Sequence, residues 1–157
     1  MVRPPRRQAF TLLELLIVLG IAAIILGLVA FNGRTALSHR HIDQAAQELK
    51  NSLGYARSLA VNTGGSRLEL IGSAPAFTSI RVLDGSGGMA KQSELPAGVE
   101  ISVAPSTVAI AFQRNGSLDP ASLGTATEIT MTVGGGDGSF IRVVTVRRQT
   151  GAVELRE

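Results

Sequence analysis

The pattern of apolar and polar positions begins with one long apolar run. Residues 10 to 31 read FTLLELLIVLGIAAIILGLVAF, with a single charged residue among them. As a helix this run would be about 33 Å long, which is enough to cross a hydrocarbon core of about 30 Å. The pattern therefore predicts a transmembrane N-terminal helix over residues 10–31.

Helical periodicity continues beyond the apolar run. Apolar residues now recur at intervals of three and four, which is typical of a helix with one buried face. These residues are Ile42, Ala45, Ala46, Leu49, Leu53, Ala56 and Ala60. The sequence Asn62-Thr63-Gly64-Gly65 is typical of a helix end. We therefore predict an amphipathic continuation over residues 32–63, within one helix of about 50 residues.

After Gly65 the pattern changes to the alternation that is typical of strands. Predicted strands cover residues 67–71, 79–83, 99–103, 108–112, 128–133, 140–146 and 152–155. Turns rich in Gly and Ser separate them at residues 84–88, 115–116 and 134–138, and the last turn closes a predicted hairpin. The predicted fold is α+β, with a long N-terminal helix packed on an antiparallel β-sheet domain of residues 64–157.

The net charge of +3 has a local source. Arg3, Arg6 and Arg7 lie in the first nine positions, and without them the chain has twelve basic and twelve acidic residues. Positive charge before an apolar run keeps that end in the cytoplasm. We therefore expect residues 32–157 to lie across the membrane.

Glu14 is the one charged residue of the apolar run. A carboxylate at the centre of a bilayer costs about 2.5–3.5 kcal/mol, which favours a specific partner. A cut before Phe10 would create an α-amino group four residues from Glu14, and this amine would pair naturally with the same carboxylate of a neighbouring subunit. The alternative is a Glu at the membrane edge whose carboxylate reaches the interface.

A secretory signal peptide is a competing interpretation of the N-terminus. Leu28-Val29-Ala30 would then be the signal-peptidase site. The apolar run is longer than the roughly 7–15 residues of such a signal, and a Glu near its start is uncharacteristic. The pattern therefore favours a retained anchor.

Residues 6–18, RRQAFTLLELLIV, resemble the class III leader and N-terminal helix of type IV pilins and type II secretion pseudopilins. The resemblance implies a leader over residues 1–9, cleavage between Ala9 and Phe10 by a prepilin peptidase, and N-methylation of Phe10. It implies that Glu14 acts in subunit recruitment and in alignment with a neighbour's terminal amine. The family normally has Gly where this chain has Ala9. The implied location is the bacterial inner membrane, crossed once, with a periplasmic C-terminal domain.

The second half resembles pseudopilin H of general secretion, a domain shared with fimbrial protein T of type IV pilus systems. The resemblance rests on the order of strands and on Arg114-Asn115-Gly116-Ser117 and Thr150-Gly151-Ala152-Val153. It implies a minor pseudopilin near the tip of a type II secretion pseudopilus. The implied partners are other minor and major pseudopilins, the prepilin peptidase and the inner-membrane assembly platform. The alternative is a minor type IV pilin that acts in pilus assembly or DNA uptake.

The sequence contains no recognisable catalytic motif. His39 and His41 are two apart on a predicted helix and point in different directions, which disfavours a shared metal. There is no Cys, HExxH or phosphate-binding Gly-Lys motif, and the Gly-rich loops at Asp84 and Asp137 indicate turns. We predict a structural subunit that is not an enzyme and has neither metal nor cofactor.

Nucleic-acid binding depends on four basic residues near the C-terminus. Arg142, Arg147, Arg148 and Arg156 are candidates for a patch that contacts phosphates. The balanced charge of the processed chain, the neighbouring Glu154 and Glu157, and the lack of Trp disfavour this patch. Nucleic acid is therefore the less favoured partner.

Overall fold

In a computed structural model, the described residues are 11–136, 138 and 140–156, with the backbone alone described for residues 28–36. The chain divides into two compact units, Met1–Leu37 and Ser38–Glu157. One helix, α1 (Leu12–Thr63), begins in the first unit and ends in the second. The prediction of a single long helix is confirmed for the described residues.

Among its described residues, the second unit contains the end of α1, a short second helix and eight strands. The order is β1 (Gly65–Ser73), β2 (Ala76–Asp84), β3 (Met89–Glu94), β4 (Val99–Ala104), β5 (Ala109–Gln113), α2 (Pro120–Leu123), β6 (Glu128–Gly135), β7 (Ile141–Arg147) and β8 (Val153–Arg156). The strands form two antiparallel four-stranded sheets, ordered β3-β2-β1-β5 and β4-β6-β7-β8. The α+β prediction is confirmed, and the predicted β-domain consists of two sheets.

The predicted hairpin around the Gly-rich turn is also confirmed. β6 pairs with β7 in antiparallel register, with Met131 opposite Val144. Along β6 the alternate residues Ile129, Met131 and Val133 are fully buried. The alternation in the sequence therefore marks the face of the strand that enters the core.

The predicted strands omit β3, which is a correction to the sequence analysis. Its sequence, Met89–Glu94, has an exposed Met89 and otherwise only small or polar side chains. β3 is the edge strand of its sheet, held by pairing with β2, for example at Val82 and Lys91. An edge strand needs little apolar character of its own, so periodicity misses it.

In the second unit, one face of α1 enters the core of the domain. All seven residues of the predicted apolar stripe are at most 1% exposed. The helix ends at Thr63. The next residue, Gly64, has a φ of +94°, and its N–H donates to the carbonyl of Ala60 at 2.9 Å. Ser66 Oγ then donates to the carbonyl of Ala56 at 2.6 Å, which attaches β1 to the helix.

The two glycine-containing motifs of the second half meet beside α1. Gly116 and Gly151 are both buried with positive φ, and a Cβ on Gly151 would overlap the carbonyl oxygen of Gly116. The Arg57 side chain of α1 lies 3.2–3.3 Å from the Cβ positions of both glycines. Leu118 N–H also donates to the carbonyl of Arg148 at 2.9 Å. Close backbone packing therefore requires glycine at Gly151.

Candidate assembly site

The exposed apolar surface of the first unit is the main candidate for a functional site. From Leu12 to Leu26, every large apolar side chain is between 54% and 78% exposed. Apolar side chains occupy all faces of this part of α1, because they follow one another almost without interruption. A continuous apolar surface of this kind marks contact with a membrane or with other proteins.

Glu14 lies in the first turn of α1 and its side chain is exposed. Its backbone N–H donates to Oγ1 of Thr11 at 3.2 Å, so Thr11 acts as the cap of the helix. A carboxylate in the first turn also interacts favourably with the helix dipole. The other predicted assembly residues, Ala9 and Phe10, lie outside the described residues.

The membrane segment predicted over residues 10–31 lies only partly within the residues that the structure describes in full. Among the helical residues that are described, no segment is long and apolar enough to cross a membrane.

Of the four candidate DNA-binding arginines, Arg147 and Arg156 lie together. Arg147 Nη2 is 2.9 Å from Glu154 Oε1, and Arg156 Nη2 is 3.2 Å from Glu154 Oε2. Arg148 Nη1 is 3.4 Å from the backbone carbonyls of Gly124 and Ala126. One carboxylate therefore offsets part of the positive charge at this end of the sheet.

Arg142 lies at the other end of β7. Its Nε is 2.8 Å from Oδ1 of Asp43 on α1, and its guanidinium carbon is 4.3 Å from the ring centre of Phe140. Arg142 and Arg147 are five positions apart along the strand, which corresponds to about 17 Å. The four arginines therefore do not share one patch.

His39 and His41 differ in their surroundings. The ring of His39 stacks on Phe140, with 4.3 Å between ring centres and 19° between planes, whereas His41 is exposed. Among the described residues, no group of three or more His, Asp or Glu side chains could hold a metal ion.

The Asp84 loop is explained by turn chemistry. Oδ1 of Asp84 accepts hydrogen bonds from Ser86 Oγ at 2.6 Å, Gly88 N–H at 2.8 Å and Ser86 N–H at 2.9 Å. The bonds from Ser86 and Gly88 hold the pKa of Asp84 below its usual range. Asp137, in the other Gly-rich loop, lies outside the described residues.

A polar contact between α1 and β3 has no counterpart in the sequence analysis. Lys91 Nζ lies 2.7 Å from Glu48 Oε1, and Ser52 Oγ donates to the same oxygen at 3.1 Å. Burial raises the pKa of Glu48, but hydrogen bonds from Lys91, Ser93 and Ser52 and the charge of Lys91 lower it below its usual value. These partners are about 40 residues apart, so no local pattern predicts them.

Similar folds occur in minor pilins and a minor pseudopilin. Two crystal structures of the type IV minor pilin FimU from Pseudomonas aeruginosa match with TM-scores of 0.59 and 0.60, at 23% and 21% identity. They cover 73% and 81% of this chain, and 92% of the FimU chain in each case. The minor pseudopilin EpsH from the type 2 secretion system of Vibrio cholerae matches with a TM-score of 0.53 and 14% identity, covering 74% of this chain and 96% of that one. No curated protein sequence was found to match.

The fold therefore defines a pilin-like protein, in which a long N-terminal helix packs on antiparallel sheet. Residues 4–30 match the model of the prokaryotic N-terminal methylation motif. Residues 45–150, more than half of the chain, match the model of type II transport protein GspH. The chain belongs to the GspH family, and the predicted resemblance to pseudopilin H is confirmed.

Proposed function

We propose that this chain is a minor pseudopilin of a type II secretion system, which enters the pseudopilus near its tip. The observation that carries the proposal is the GspH family match over residues 45–150, together with the exposed apolar surface of α1. The methylation motif over residues 4–30 supports cleavage between Ala9 and Phe10 and methylation of Phe10.

Assembly in this proposal exchanges one apolar environment for another. Residues 10–31 first anchor the precursor in the inner membrane, with a cytoplasmic N-terminus and a periplasmic domain. Within this segment, Phe10 and the side chains of residues 28–31 lie outside the described part of the structure. The apolar side chains then leave lipid for contacts with helices of other pseudopilins, at a small net cost because both environments are apolar. Glu14 pairs with the new amine of a neighbour.

The proposed role is structural, and the partners are other pseudopilins, the prepilin peptidase and the assembly platform. The second unit also has a recess of about 720 Å³, whose walls contain no Asp, Glu, His, Lys or Arg. It is lined by Ala74, Pro75, Phe77, Ile101, Ser102, Val103, Ser106, Thr107 and Val108.

The direct test is the mature N-terminus. The full chain is expressed with and without a prepilin peptidase, and its N-terminus is determined by mass spectrometry. We expect a methylated Phe10 as first residue only when the peptidase is present. Ala9→Gly should be cleaved at least as well, whereas Ala9→Lys should block cleavage. Retention of residues 1–9 in cells with the peptidase would reject the proposal.

A minor type IV pilin is the second candidate, because FimU shares the fold. Complementation separates the two: the chain should restore protein secretion in a strain without its pseudopilin H, but not pilus assembly in one without its fimbrial protein T. DNA uptake is tested by titrating the full chain with duplex DNA at several salt concentrations. Absence of salt-sensitive binding excludes the arginines as a DNA site.

A further inference from the structure

The β6–β7 hairpin contacts α1 through one stacked pair of rings and one ion pair. Phe140 stacks on His39 at 4.3 Å between ring centres, and Arg142 forms an ion pair with Asp43 at 2.8 Å. Arg142 also lies over the ring of Phe140, at 4.3 Å. We call these four residues the hairpin clamp. The ion pair of the clamp joins two positions that are 99 residues apart in the chain.

The hairpin clamp lies at the margin of the core. His39 and Asp43 are one helical turn apart, so they present one face of α1 to the hairpin. Ile42, at the start of the buried stripe, lies between them in sequence and is 1% exposed. The Asp43 side chain is 51% exposed and that of Arg142 is 18% exposed. The buried stripe from Ile42 to Ala60 packs in the core independently of the clamp.

We propose that the hairpin clamp is a positioning device for assembly. It holds residues 39–43 of α1, all within the second unit, against the β6–β7 hairpin. Glycine-rich chain at the hairpin end would otherwise leave this contact loose. The role in assembly rests on the function proposed above, whereas the clamp itself is measurable without it.

The types of contact in the clamp indicate how strongly it should slow local opening of α1. Stacked rings, a cation over an aromatic ring and a half-exposed ion pair are each modest contacts. Together they should slow local opening of residues 39–43 roughly tenfold. Contacts of this size leave the rest of the unit folded when they are removed.

The first test is hydrogen exchange on the full chain in detergent micelles. Phe140→Leu and Arg142→Gln should each speed exchange of amides 39–43 several-fold, and roughly tenfold when combined. Exchange in the second half of α1, residues 49–60, should not change. Phe140→Tyr, which keeps the ring, should restore slow exchange. Arg147→Gln, at the other end of β7, is the matched control.

If amides 39–43 exchange at the same rate in the wild type and in both variants, the clamp does not restrain this part of α1, and the proposal is rejected. Phe140 also packs against the core, whereas Arg142 is outside the core cluster. If Phe140→Leu unfolds the unit, the exchange rates of Arg142→Gln decide the test.

The second test measures incorporation into pseudopili in cells. We expect Phe140→Leu and Arg142→Gln to lower the amount of the chain in isolated fibres, with cleavage before Phe10 unchanged and with recovery in Phe140→Tyr. Faster local exchange with normal incorporation would overturn the positioning role. Failure of the wild type to be cleaved before Phe10 would reject the proposed function instead, and this result is independent of the exchange data.

Discussion

Two stretches of α1 differ in whether their apolar side chains are exposed or buried: the first is Leu12 to Leu26 and the second is Ile42 to Ala60. Between Leu12 and Leu26 the large apolar side chains are at least 54% exposed, whereas the stripe from Ile42 to Ala60 is at most 1% exposed. The second stretch has one apolar face, and the sheets of its own chain cover that face. The first stretch is apolar on all faces, and a single flat surface cannot cover it.

This difference indicates which surroundings each stretch of α1 needs to bury its apolar side chains. A one-sided stripe needs one layer of partners, which a small β-domain provides. An all-round apolar helix needs surroundings on every side, either lipid or a bundle of helices. The sequence therefore separates the part of α1 that packs in the core of the second unit from the part whose apolar side chains are exposed.

The largest expected effect comes from truncating the buried stripe. Leu53→Ala removes methyl groups from a site that is 0% exposed, and we expect a loss of about 2–5 kcal/mol in the free energy of unfolding. Leu16→Ala, at a side chain 57% exposed, should leave this free energy unchanged. Urea unfolding of the full chain in detergent, followed by circular dichroism, measures both. Equal losses would remove the distinction between the two stretches.

A smaller loss is expected where two loops meet beside the second stretch. Gly151→Ala places a Cβ against the carbonyl oxygen of Gly116 at a φ of +60°. Overpacking against backbone should cost about 1–3 kcal/mol of unfolding free energy. Gly98→Ala is the matched control, because its φ is +81° and nothing lies within 4 Å of its Cβ position. If both variants lose the same stability, backbone strain alone accounts for the effect.

The smallest expected effect is a pH dependence at the α1–β3 contact. Despite burial, which raises it, the pKa of Glu48 is lowered by Lys91, Ser93 and Ser52. The unfolded chain then binds the Glu48 proton more tightly, so this contribution is complete above the usual Glu value and is lost as pH falls through the lower folded value. Because the pair is partly exposed, it amounts to less than about 1 kcal/mol.

Unfolding of Glu48→Gln and wild type at pH 7 and pH 3 measures this contribution. The wild type should be more stable at pH 7, and the difference should shrink at pH 3. A difference that is equal at both pH values would contradict the role of the charged carboxylate.

Local pattern accounts for α1 and most of the strands. The stripe at Ile42 to Ala60 and the alternation at Ile129 to Val133 follow directly from which positions are apolar. The edge strand β3 was missed because its pairing comes from β2. The division into two sheets also depends on which strands pair over long distances, and periodicity carries no such information.

The site was predictable only in part. The apolar run and Glu14 are visible in the sequence because they break the usual balance of a soluble segment. The hairpin clamp could not be predicted from the sequence, because Asp43 and Arg142 lie 99 positions apart. The residues next to them in sequence form no motif that indicates this contact. The arginines at the C-terminus were grouped by sequence proximity, yet Arg142 is directed to Asp43 and Arg147 to Glu154.

We propose that helices of other pseudopilins cover the first stretch of α1 in the assembled fibre. The chain has no Cys, so Leu16→Cys introduces a single cross-linking site in that stretch, and Val61→Cys, 50% exposed in the second unit, is the control. Oxidation of cells that carry a second pseudopilin with a Cys in its N-terminal helix tests the contact. We expect a disulfide-linked pair through residue 16 and a much weaker one through residue 61. The pair through residue 16 should be lost with Glu14→Ala. Equal cross-linking at both positions, or none at residue 16 in assembled fibres, would contradict it.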